Sequence, residues 1–107
     1  MPTATPKRLA QAALTSALTT VLYTVPASTD TIIKEVVISN TSTSAVPVTL
    51  RAAGTGVANT LFPATSVPAN STVVLALSTV LAAGETITGG AATASVVGVT
   101  ISGVEVA

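Results

Sequence analysis

The sequence contains no histidine, no cysteine and no tryptophan, and one residue each of methionine, tyrosine and phenylalanine. Each absence removes a class of chemistry. Without histidine there is no imidazole to serve as a general base near neutral pH or as a metal ligand. Without cysteine there is no thiolate nucleophile, no disulfide, and no zinc, iron–sulfur or haem site of the usual ligand types. Charge is equally scarce. Only Lys7, Arg8, Lys34 and Arg51 are basic and only Asp30, Glu35, Glu85 and Glu105 are acidic, among 107 residues. A net charge of zero offers no footprint for a phosphate backbone, so no nucleic-acid partner is expected. The four carboxylates form no D-x-D-x-D-G run, so no metal site and no cofactor are expected either.

Long hydrophobic runs are also missing. No stretch approaches the ~20 apolar residues of a membrane-spanning helix, so no membrane partner is expected. Residues 1–27 have the order of a signal peptide, with Lys7 and Arg8 ahead of an apolar stretch, but Gln11, Thr15, Ser16, Thr19 and Thr20 interrupt that stretch. A cleaved signal is therefore not expected.

What the chain does have is Ala, Val, Thr and Ser. Hydrophobic residues make up 49% of it and charged residues 7%, the reverse of a disordered composition. One folded domain is implied. Small β-branched side chains fill strands but build a thin core. With no disulfide or metal to add, association with other chains is the remaining common source of burial. A surface so poor in Lys and Glu lacks the mixed charge that keeps monomers apart, which points the same way.

Turn residues divide the chain at short intervals. Residues 1–8 carry two prolines and read as an extended arm. Residues 9–18 have Leu9, Ala13 and Ala17 at helical spacing, yet the extended form is favoured. Strands are then predicted at 19–25, with Val21, Tyr23 and Val25 on one face, and at 31–40, where adjacent apolar pairs suggest burial on both faces. A third covers 45–53, with Pro47 marking an edge or a bulge. Others follow at 59–66, at 71–81 with Val73, Leu75 and Leu77 on one face, and at 85–88, ended by Gly89-Gly90. The last covers 94–106, with a change of phase across Ser102-Gly103 that suggests a bulge. About seven strands and no strong helical segment after residue 18 predict an all-β fold, an antiparallel β-sandwich of jelly-roll or immunoglobulin-like type. T-x-T triplets recur irregularly, which excludes a Thr-ladder solenoid.

No motif supports catalysis. Serine nucleophiles need a base and an orienting group, and neither G-x-S-x-G nor S-x-x-K is present, so the hydroxyls are strand surface. Gly54-Thr55-Gly56 lacks the Lys and the following helix of a phosphate loop. Glu35, Glu85 and Glu105 would make a cation site only by converging on a symmetry axis, and solvated or paired carboxylates are the better reading. Tyr23 and Phe62, the only rings, read as core or interface anchors. No enzyme is expected.

Several segments carry a family resemblance: Val21-Leu22-Tyr23-Thr24-Val25-Pro26-Ala27, Ile38-Ser39-Asn40-Thr41, Val67-Pro68-Ala69-Asn70-Ser71-Thr72, Leu81-Ala82-Ala83-Gly84-Glu85-Thr86-Ile87 and Val99-Thr100-Ile101-Ser102-Gly103-Val104-Glu105-Val106. Over residues 18–106 the chain resembles small β-sandwich virion structural proteins of tailed bacteriophages, of the capsid decoration and head-fibre type. The resemblance implies a non-enzymatic protein on the capsid exterior, made in the host cytoplasm. The short length favours a decoration (cement) protein that stabilises the shell, with a head-fibre or tail-associated receptor- or glycan-binding module as the alternative. It implies the major capsid protein and other copies of the chain, in a homotrimer or other homo-oligomer, as partners. Residues 1–17 would be an arm contacting capsid or neighbour, and 18–107 the sandwich. The interface candidates are Pro2, Pro6, Lys7, Arg8 and Leu9 in the arm, with Tyr23 and Phe62.

Overall fold

A computed structural model describes residues 3–17, 20–54 and 59–107. Eight strands form: β1 (Ala4–Ala13), β2 (Val21–Thr24), β3 (Asp30–Asn40), β4 (Val46–Ala52), β5 (Thr60–Val67), β6 (Thr72–Leu81), β7 (Thr86–Ala91) and β8 (Val97–Val106). They make two four-stranded antiparallel sheets, ordered β1-β8-β3-β6 and β2-β7-β4-β5. The all-β sandwich expected from the sequence is what forms.

The pairings nest. β4 pairs with β5, β7 with β2, β6 with β3 and β8 with β1, so the chain is one long hairpin rolled into two sheets. Register keeps to this plan: Arg51 faces Thr60 and Ala4 faces Val106, so the midpoint between partners stays near residue 55 from tip to ends. This arrangement is the eight-stranded jelly roll, and it excludes the immunoglobulin-like alternative.

Period-2 alternation builds the core between the sheets. Val97, Val99 and Ile101 of β8 point inward with Ile33, Val36 and Ile38 of β3, against Val46, Val48, Leu50 and Ile87 of the other sheet. Tyr23 and Phe62 are the only rings in it.

Several expectations are corrected by long-range pairing. The segment expected to begin an arm forms an edge strand over Ala4–Ala13, paired with β8 of the same chain, and brings the expected count of about seven strands to eight. In β3 the adjacent apolar pairs reflect a bulge rather than two-sided burial. Lys34 and Glu35 are both exposed, and the inward parity moves from Ile33 to Val36 and Ile38. β8 itself alternates without a break. The irregularities lie in its neighbours, between Arg8 and Ala10 of β1 and between Ile33 and Glu35 of β3.

Gly103 sits where these bulges press inward, since a side-chain carbon there would run into the Ile32 carbonyl. β2 bulges between Val21 and Tyr23, which leaves Val21 outside while Tyr23 and Val25 are buried. Position 19, the expected start of that strand, lies outside the described residues. Pro47 is not on an edge strand. β4 is an inner strand, and Pro47 lies at its start, one residue before the ladder to β7 begins at Val48.

Gly89-Gly90 does not end β7, which continues to Ala91. A Cβ on Gly89 would lie 2.5 Å from Leu50 Cδ2, and one on Gly90 would lie 2.7 Å from the carbonyl oxygens of Thr15 and Ala17. Gly89 is crowded by its cross-strand partner Leu50 on β4 and Gly90 by Thr15 and Ala17 of the β1–β2 connection, close approaches indistinguishable in sequence from a turn.

Turns are set by local hydrogen bonds. Asn40, 2% exposed, is saturated: its Nδ2 donates to the carbonyls of Ser44 (2.8 Å) and Val67 (3.0 Å), and its Oδ1 accepts from the amide (2.9 Å) and hydroxyl (2.8 Å) of Ser42. One side chain thus shapes the β3–β4 turn and ties it to the end of β5.

Candidate functional site

Among the described residues, no group of three or more acidic side chains gathers to hold a metal. The three glutamates serve separate purposes. Glu35 is exposed at the β3 bulge, and Glu85 accepts the Ala82 amide at 2.6 Å within the β6–β7 turn. Glu105 joins a cluster at the end of the sandwich where the chain ends meet.

In that cluster Glu105 Oε2 accepts the Tyr23 hydroxyl at 2.5 Å, and Glu105 Oε1 lies 3.3 Å from Lys7 Nζ. The Tyr23 oxygen is also 2.9 Å from Thr31 Oγ1. Four strands contribute one residue each, and Tyr23 crosses from one sheet to the other. The Tyr23 hydrogen bond, helped by Lys7, holds the Glu105 carboxyl below its ordinary range against the opposing effect of burial. Burial, and then the carboxylate, push the Tyr23 phenol upward. A phenol held protonated against an ionised carboxylate is a fastening and offers no proton at neutral pH. Nothing in the sequence's local pattern announces it, because Tyr23 and Glu105 are 82 positions apart.

An open depression of about 350 Å³ lies over Gly98 on the outer face of the first sheet, between Gln11 of β1 and Ser39 of β3. No charged side chain lines it. Two buried polar atoms, Arg51 Nε and Thr88 Oγ1, belong to residues paired across β4 and β7 and find no hydrogen-bond partner among the described residues.

The sheet edges are therefore the surfaces with distinct physical character. An edge exposes a row of unpaired amides and carbonyls, and soluble proteins usually guard it. β1 is guarded by Pro6, Lys7, Arg8 and its bulge. β2 is four residues long and bulged. β5 carries Pro63, two register shifts and Ala64 at φ 36°, whose amide donates to Thr49 Oγ1 at 3.1 Å. β6 has ten residues, no proline and no charge, and its alternation of exposed and half-buried side chains runs unbroken through the register shift it shares with β3 between Thr79 and Ala76. It also carries Val74 and Val80, 57% and 64% exposed, which with Val21 are the exposed large hydrophobics among the described residues.

The candidates named from sequence scatter across these surfaces. Pro6 and Arg8 share the outer face of β1, while Lys7 turns to the inner face and Glu105. Leu9 is half-buried over Gly103. Tyr23 and Phe62 are core residues, 9% and 7% exposed. Pro2 lies outside the described residues. The sequence of β6 predicts a strand with one apolar face; its edge position depends on pairings that the local sequence does not carry.

No protein-family profile matches the chain, and no curated protein matches it. Among solved structures, one described as the structure of infectious bursal disease virus, Gx strain, is similar with a TM-score of 0.47 and 11% identity, over 99% of this chain and 40% of that one. The chain thus spans well under half the length of the chain it resembles.

Proposed function

We propose that this chain is a non-enzymatic structural protein of a virion, of the capsid-decoration type, which binds the outer capsid surface and stabilises the shell. The observation that carries the reading is the jelly-roll strand order, an architecture used in viral capsid proteins; this is an analogy at the level of fold. The residue inventory supports it, since a chain without His or Cys and with eight charges is suited to packing rather than to chemistry. The resemblance to tailed-phage virion proteins supplies the finer assignment. In this reading the partners are the major capsid protein and other copies of the chain. The exposed outer face of β1, with Pro6 and Arg8, is the contact offered to the capsid.

Adding the purified protein to capsids that lack it tests the proposal. Co-sedimentation with the capsids and a rise in the temperature at which they open are expected. Absence of binding, or bound protein with no change in capsid resistance, would sink the idea. The alternative of a glycan-binding module receives little support, because both rings are buried and neither is available as a stacking platform for a sugar.

A further inference from the structure

We infer that β6 is a self-association edge, and that two copies of this chain pair antiparallel through it to make a continuous eight-stranded sheet. The inference goes beyond the virion reading and stands without it. The unguarded backbone of β6 calls for an extended strand as its occupant, and β6 is itself the complement in shape and charge.

Antiparallel partners place side chains of the same face opposite one another. With the two-fold axis at Leu77, position 74 of one copy falls opposite position 80 of the other. The two exposed valines of β6 then cover each other on the outer face. On the inner face Leu77 meets its own copy and Leu75 meets Thr79, which extends the half-buried apolar row that packs against the core. Moving the axis to Ala76 would set Val74 against Ser78 and Val80 against Thr72, leaving both valines against hydroxyls.

The outer face extends the match beyond the strand. Within one chain Val80 pairs with Ile32, which pairs with Val104, and Val74 pairs with Val37. The Leu77 axis joins these into one row running Val104, Ile32, Val80 and then Val74 and Val37 of the second copy. No charged residue lies on β6 to oppose its twin. Lys34 and Glu35, exposed on the neighbouring strand, bring one charge of each sign alongside.

Sedimentation velocity on the purified full chain and two double variants tests both the edge and its register. Wild type is expected to run as a two-chain species. V74K/V80K sets like charges opposite one another twice, and its mass is expected to halve. V74K/V80E makes the same number of polar replacements but sets opposite charges together, and is expected to remain a dimer. Both positions are exposed in the single chain, so circular dichroism is expected to be close to wild type in each variant, with melting lowered only in V74K/V80K by loss of the partner's stabilisation. A monomeric wild type at high micromolar concentration, a trimer, or a dimer indifferent to V74K/V80K would overturn the inference. Dissociation of V74K/V80E to the same extent as V74K/V80K would overturn the register.

Discussion

Tyr23 connects the two sheets at the end of the sandwich where the Thr3 and Ala107 backbones exchange hydrogen bonds of 2.7 and 3.1 Å. Its bond to an ionised, mostly buried carboxylate belongs to the stronger kind of hydrogen bond. Tyr23→Phe keeps the ring and removes that bond, and is expected to cost about 2 kcal/mol at neutral pH, measured by urea unfolding. The Glu105 carboxyl lies below its ordinary range in the folded chain, so its contribution is complete above the unfolded value and is lost as pH falls through the folded one. Glu105→Gln is therefore expected to flatten the acid limb of the stability profile. A profile as steep as wild type would assign acid sensitivity to other groups. Tyr23 has the opposite sign. Its raised value means stability falls as pH rises past the ordinary phenol range, and Tyr23→Phe removes that alkaline loss.

At the level of elements, the double glycine of β7 decides how the two sheets are closed. Thr15 and Thr20 of the β1–β2 connection lie along β7, with Gly89 donating to the Thr20 carbonyl at 3.1 Å and Ala91 to that of Thr15 at 2.9 Å. Gly90→Val would force this connection away. A loss of roughly 2 to 4 kcal/mol is expected, with hydrogen exchange accelerated at Gly89 and Ala91 before the rest of the sheet. The same substitution at Gly98, where a Cβ meets nothing within 4 Å, is expected to be nearly neutral, so the pair separates close approach from strand propensity. These two glycines also mark the limit of what could be read from the chain. Alternation along 71–81 revealed β6, and turn residues at Asn40–Ser44 and Pro68–Asn70 divided the strands correctly, because those signals are local. Gly89-Gly90 imitated a turn, Ile32-Ile33 and Val36-Val37 imitated two-sided burial, and Pro47 imitated an edge. In each case the deciding group lay on another strand. The β6 edge was hidden for the same reason, since Val74 and Val80 become an exposed seam only once β3 takes the other side of the strand.

The whole molecule measures 49 × 25 × 19 Å, a slender plank for 107 residues. Its nested pairing has a consequence for how the chain reaches this state. Arg51 and Thr60 are nine residues apart, whereas Ala4 and Val106 are separated by 102, and the pairs between them widen in order. Loop closure from the tip outward meets a small entropy increment at each stage, while pairing the ends first meets nearly all of it at once. Folding is therefore expected to proceed as a zipper, slowly for a chain of this length because so few contacts are local. Phe62→Leu, near the tip, is expected to slow folding in stopped-flow experiments. Leu9→Ala, on the last strand to close, is expected to leave the folding rate unchanged and to hasten unfolding. Equal slowing by both would mean that the ends meet early. In a zipper of this kind β6 joins before β1, so the unguarded edge is complete while the chain is still closing, and crowded refolding becomes a contest between finishing the roll and capturing a neighbour.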